Sequence, residues 1–116
     1  MHHFLRLTLL LCSFGLWAQS PPSFSYQAVV RDANKQLVQN DTLGVEIRIM
    51  EQNPNGSILL IETHQVLSNA NGLISLEVGM GNVTLGGLST ISWTNGPYFL
   101  QSSIDLNGGS NYTLSQ

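Results

Sequence analysis

Residues 43–51 alternate along the chain, with Leu43, Val45, Ile47 and Ile49 pointing one way and Gly44, Glu46, Arg48 and Met50 the other. A two-residue period with charges confined to one phase predicts a strand in a sheet that has one wet side. Similar runs recur between clusters of Asn, Gly and Pro, and no segment after residue 22 keeps a helical period for about ten residues. Residues 24–32 read as a first strand with Phe24, Tyr26, Ala28 and Val30 on one face. A tight turn at 32–35 follows, because Asp and Asn bond their own backbone and tolerate left-handed conformations. Leu37 and Val38 begin a short return. Residues 58–67 form a long strand, 69–72 a turn, and 73–80 a strand burying Ile74, Leu76 and Val78. The glycines at 79, 81, 86 and 87 predict a bulge or crossover between sheets in place of a free strand, with Ile91 and Trp93 plugging the core beneath it. Residues 98–105 form another strand, with Tyr98, Leu100, Ser102 and Ile104 on one face. The expected fold class is all-β: an antiparallel β-sandwich, Ig-like or prealbumin-like, of six to seven strands.

Ahead of this pattern stands a leader. Met1 to Arg6 supply positive character through His2, His3 and Arg6, and residues 7–17 form an apolar core. Ala18 offers the small residue for cleavage before Gln19, Ser20, Pro21 and Pro22. That order is a secretory signal peptide over residues 1–18. A spanning helix needs about 20 apolar residues, so no transmembrane segment is expected after signal cleavage. The single cysteine, Cys12, lies in the leader, and Leu11 before it is too large for a lipidation site. The sandwich domain is therefore expected over residues 19–116, held together without disulfides.

The chain carries a formal charge of −3, and three of its four basic residues (Arg31, Lys35 and Arg48) lie beyond the leader without forming a cluster. Nucleic acid is excluded as an expected partner, because phosphate binding needs a positive footprint. Anionic membrane surfaces are disfavoured for the same reason.

Several stretches together resemble a family. They are residues 24–32 (Phe-Ser-Tyr-Gln-Ala-Val-Val-Arg-Asp), Glu62-Thr63-His64, the turn at 69–73, Gly79-Met80-Gly81, residues 93–100 from Trp93 to Leu100, and residues 105–114. In combination they are similar to the N-terminal β-domain of secreted, uncharacterised proteins of Gram-negative bacteria that use type IX secretion. The resemblance implies a β-sandwich leading into fibre-like or sorting regions and brings no catalytic residues. Such relatives continue past the point where this chain stops, which implies a domain truncated at its C-terminus.

Candidate sites are sparse. His64 and Glu62 share a strand face, but no local third ligand completes a metal shell, and the expectation is a polar or edge position. Serine-hydrolase chemistry lacks a nucleophile elbow. Glu46, Glu51, Glu62 and Glu77 all fall on faces expected to be wet, so paired-carboxylate hydrolysis is not expected either. Gly79 and Gly81 do not make a phosphate cradle, because no helix follows. Asp105, Asn107 and Asn111 loosely evoke a calcium loop whose spacing fails. Trp93, Tyr98, Phe99 and Tyr112 could form a sugar platform, although the phase of Trp93 and Tyr98 predicts core packing.

The loops at 52–57 and 69–72 are the candidate interaction loops, with Asn53, Asn55, Asn69 and Asn71 as their polar residues, since loops on a rigid sheet carry recognition. Asp41-Thr42-Leu43 resembles a bacterial O-glycosylation triplet, making Thr42 a candidate acceptor. The expected function is that of a non-catalytic, exported structural or interaction module with no cofactor. Its partner would be a protein or a following domain, or alternatively a glycan. A carbohydrate-binding module is the second reading and a hydrolytic enzyme the third. The expected location is extracellular or cell-surface, with the periplasm as the alternative.

Overall fold

A computed structural model describes residues 23–115. The leader expectation at residues 1–18 lies outside the described residues. Among the described residues seven strands form: β1 (Phe24–Val29), β2 (Thr42–Glu51), β3 (Ile58–Leu67), β4 (Leu73–Val78), β5 (Asn82–Gly86), β6 (Tyr98–Asp105) and the two-residue β7 (Leu114–Ser115). All pairings are antiparallel. One sheet has the order β5-β3-β2-β6-β7 and the other is the pair β1-β4. The fold is an antiparallel β-sandwich, as the alternation predicts.

The alternation of β2 decides which face is inner. Leu43, Val45, Ile47 and Ile49 are buried, and the register sets them beside Val66, His64, Glu62 and Leu60 of β3. On the other side they meet Ile104, Ser102 and Leu100 of β6. Ile74, Leu76 and Val78 of β4 close the core from the second sheet, with Tyr26 and Ala28 of β1 packed against it. Burial of branched aliphatic side chains from both sheets is the main stabilising term. A polar contact spans the layers as well, since the Tyr26 hydroxyl lies 2.8 Å from the Ser102 hydroxyl.

Four turns share one device. The side-chain oxygens of Asp32, Asn53, Asn69 and Asp105 accept the backbone N–H groups of Asn34, Asn55, Asn71 and Asn107, at 2.8 to 2.9 Å. Each turn thus reads Asp or Asn, any residue, then Asn, and each side chain stands in for a backbone carbonyl. Asp32 and Asn69 also accept a second amide four residues on, from Gln36 and Leu73. Arg31 and Leu37 form an isolated bridge across the first turn, which places Val38 in the core as the expected return.

Two local expectations are corrected. Residues 79–90 do cross between sheets, but they include a true strand: β5 pairs with β3, with a register shift between Ile61 and Glu62. Ile91 is buried as expected, whereas Trp93 is 50% exposed and does not plug the core. A 3-10 turn at Trp93–Asn95 carries its ring outward, where it meets Phe24 and Tyr98 edge-on.

Candidate functional site

Glu62 overturns its expected wet position. It is fully buried, because the β2–β3 register places it opposite Ile47 on the inner face. Its carboxylate accepts Gly79 N–H at 2.8 and 3.0 Å and Gly81 N–H at 3.3 Å, and His64 Nε2 contacts the same carboxylate. These bonds replace the water that burial removes, which is the condition for tolerating a carboxylate in a core. Gly81 is needed here because a Cβ at that position would stand 2.5 Å from the Thr63 carbonyl oxygen and 2.6 Å from His64 Nε2. Glu62, His64 and the glycine pair therefore clamp the loop that carries the chain from β4 back to β5. Among the described residues no group of three or more His, Cys, Asp and Glu side chains is placed to hold a metal ion. Glu77 is exposed and accepts the Ser25 hydroxyl, so it does not join Glu62.

The outer face of the five-stranded sheet is less wet than the alternation implies. Gly44 and Met50 are buried and Glu46 and Arg48 half-buried, because two loops fold over them. At one end lies the β6–β7 loop. A Cβ on Gly44 would stand 2.0 Å from the Gly109 carbonyl oxygen and 3.4 Å from the Tyr112 ring. Asp105 organises this loop by accepting Asn107 N–H and Asn111 N–H at 2.9 and 3.0 Å. Those two bonds, in that order, hold its carboxyl below the usual carboxylate range, against a smaller upward push from desolvation. Both Asp105 oxygens of the pattern that loosely evokes a calcium loop are thus engaged by backbone amides. Desolvation, followed by the charges of Glu46 and Asp105, pushes the Tyr112 phenol above its ordinary range, and a bond with Thr63 opposes the shift.

At the other end residues 52–57 overhang the sheet and enclose an open cleft of about 250 Å³. Met50, Pro54 and Ile58 form its apolar lining, and Arg48, Gln101 and Asn55 its polar side. Arg48 and Gln101 sit side by side in the β2–β6 register. Arg48 is held through Nε, which donates to Glu46 Oε1 at 2.8 Å. Its two terminal nitrogens, and the side-chain amides of Gln101 and Asn55, have no hydrogen-bond partner among the described residues.

The four candidate asparagines divide by role. Asn53 and Asn69 spend their side-chain oxygens on turn amides. Asn55 and Asn71, two residues further on in each turn, are exposed. Asn55 borders the cleft, and Asn71 does not. Thr42 is exposed at the start of β2. Of the four aromatic candidates, Trp93 and Tyr98 come together, and among the described residues their third ring is Phe24 and not Phe99 or Tyr112. Trp93 has ring centroids 6.5 Å from Phe24 and 5.2 Å from Tyr98, at interplanar angles of 87° and 71°. Rings set edge-on do not share a plane, so the three do not form one flat stacking surface. Arg48, Met50 and Gln101 were missed as site residues because each reads as the solvent phase of a regular strand. The signal lies in the polar turn at 52–57, whose length lets it fold back over that phase.

A family model described as a domain of unknown function, DUF8740, matches residues 25–116. The chain belongs to the DUF8740 family. The matched span takes in both sheets, the Glu62 clamp and the outer-face cleft, so all three lie within the DUF8740 domain. No curated protein and no solved structure matches the chain.

Proposed function

We propose that this DUF8740 chain is a non-catalytic, exported interaction module that presents the outer-face cleft to a partner. The observation that carries the reading is the contrast between its polar groups. Fully buried Glu62 and its neighbour His64 are engaged in holding a loop, whereas the terminal nitrogens of Arg48 and the side-chain amides of Gln101 and Asn55 at the cleft are uncommitted. A concave site with an apolar lining and a few convergent polar groups is the usual form of a binding site. Its position on a packed sheet, beside a turn braced by Asn53, gives it a fixed shape. The leader pattern of residues 1–18 supports export. The resemblance to N-terminal domains of type IX-secreted proteins supports a role beside a following domain or protein partner at the cell surface.

Two measurements test this reading. N-terminal sequencing of the product from fractionated cells should find a chain beginning near Gln19 outside the cytoplasm, and a cytoplasmic chain retaining Met1 overturns export. Glycan and peptide arrays probed with the mature chain should give a signal that Arg48→Ala with Gln101→Ala removes. Signals unchanged by that double variant overturn the role of the cleft.

A further inference from the structure

We infer that the cleft beneath residues 52–57 takes the ring of an uncharged sugar residue, an inference that rests on the interaction-module reading. Size argues first. At about 250 Å³ the cleft falls below the span of about 300–1,000 Å³ usual for pockets that hold drug-sized ligands, which suits one ring and not an extended ligand.

Charge argues next. Arg48 is the cation of the cleft, but its Nε is already bound to Glu46, whose side chain is 16% exposed. The pair is neutral as a unit, and an anion approaching the guanidinium would also meet the Glu46 carboxylate. Phosphate and carboxylate ligands are therefore disfavoured. The remaining edge of the guanidinium still offers its terminal N–H donors.

Chemistry then selects among neutral ligands. Gln101 and Asn55 each supply an amide that both donates and accepts, which matches hydroxyl groups that do the same. Arg48 adds donors for a hydroxyl or ring oxygen. Met50, Pro54 and Ile58 oppose these groups with an apolar wall suited to the C–H face of a pyranose. Hydroxyls along one edge and C–H groups on a face describe a sugar ring. The aromatic cluster at Trp93 contributes nothing, since its rings lie edge-on at a place outside the cleft lining.

The test is an NMR titration of the mature chain with the methyl glycosides of glucose, galactose, mannose and N-acetylglucosamine, and separately with sodium acetate and a short apolar peptide. The inference expects saturable shifts of the Gln101 and Asn55 side-chain amides and of Arg48 Nε–H with at least one glycoside, at millimolar affinity. Gln101→Ala, at an exposed position, should leave the remaining spectrum in place and weaken binding about tenfold, as expected for lost hydrogen bonds at a desolvated contact. Cleft resonances that stay silent to every glycoside overturn the inference. So does an equal response to acetate, which would mark an anion site, or to the peptide, which would mark a protein-docking site. A peptide-array signal abolished by the double cleft variant, with no glycoside response, sinks the sugar ligand and leaves the interaction module standing.

Discussion

Glu62 Oε1 accepts the Gly79 N–H at 2.8 Å, joining the core face of β3 to the loop that leaves β4. Through this bond a fully buried carboxylate holds together the two sheets at the crossover. Glu62→Ala should leave the part-buried Gly79 and Gly81 amides without their acceptor and open a cavity in the core. The expected loss is about 2–5 kcal/mol, from amide donors left unmet and from the cavity in the core. Urea unfolding measures it, and a loss below about 1 kcal/mol would show that water replaces the carboxylate.

Gly44 is the point on β2 where the β6–β7 loop rests. A methyl group there would overlap the Gly109 carbonyl oxygen, 2.0 Å from the added Cβ. Gly44→Ala should therefore lift residues 105–112 and destabilise the fold by about 1–3 kcal/mol, as overpacking does. Amide exchange should accelerate at Asn107 and Asn111 while β1 and β4 keep their protection. Unchanged exchange in the loop contradicts this arrangement.

The Asp105 carboxyl is held below its ordinary range by Asn107 and Asn111 N–H. A depressed folded pKa stabilises the fold above the unfolded value, near 3.9, and that contribution disappears as pH falls through the lower folded value. Thermal melts of the parent chain and Asp105→Asn should differ at pH 7 and converge in acid below about pH 4. A gap that persists into strong acid would detach it from this ionisation.

Tyr112 provides the opposite limb. Desolvation, Glu46 and Asp105 push its phenol upward, so the neutral form is favoured in the folded state. Its contribution is complete below the unfolded value near 10 and is lost as pH rises through the higher folded value. Absorbance titration should find Tyr112 ionising after Tyr26→Phe and Tyr98→Phe have removed the competing signals, at a pH above that of the unfolded chain. Ionisation at or below the unfolded value would place Tyr112 in open solvent.

Much of the local architecture is legible in the residues. The spans 58–67 and 98–105 coincide with β3 and β6, and the inward phase of β2 is buried as its alternation requires. The repeated Asp/Asn-x-Asn turns were also written in the chain, at 32, 53, 69 and 105, although their regularity emerges once the bonds are seen. Asn53 and Asn69 could be placed in loops from composition. That their side chains brace those loops, while Asn55 is left to border a cleft, follows from bond directions that composition does not carry.

Most strands, the turn positions and the sandwich class are legible from the chain alone, β5 excepted, because a two-residue period and a side-chain turn bond both act over a few neighbouring residues. Where Glu62 goes, and what covers the solvent phase of β2, depend on pairings between residues far apart in the chain. A charge on a strand reads as outward until the register sets it opposite Ile47 and a distant glycine loop supplies its donors. Arg48, likewise, is a surface residue in its own strand. It becomes part of a site because β6 brings Gln101 alongside and residues 52–57 fold back over both.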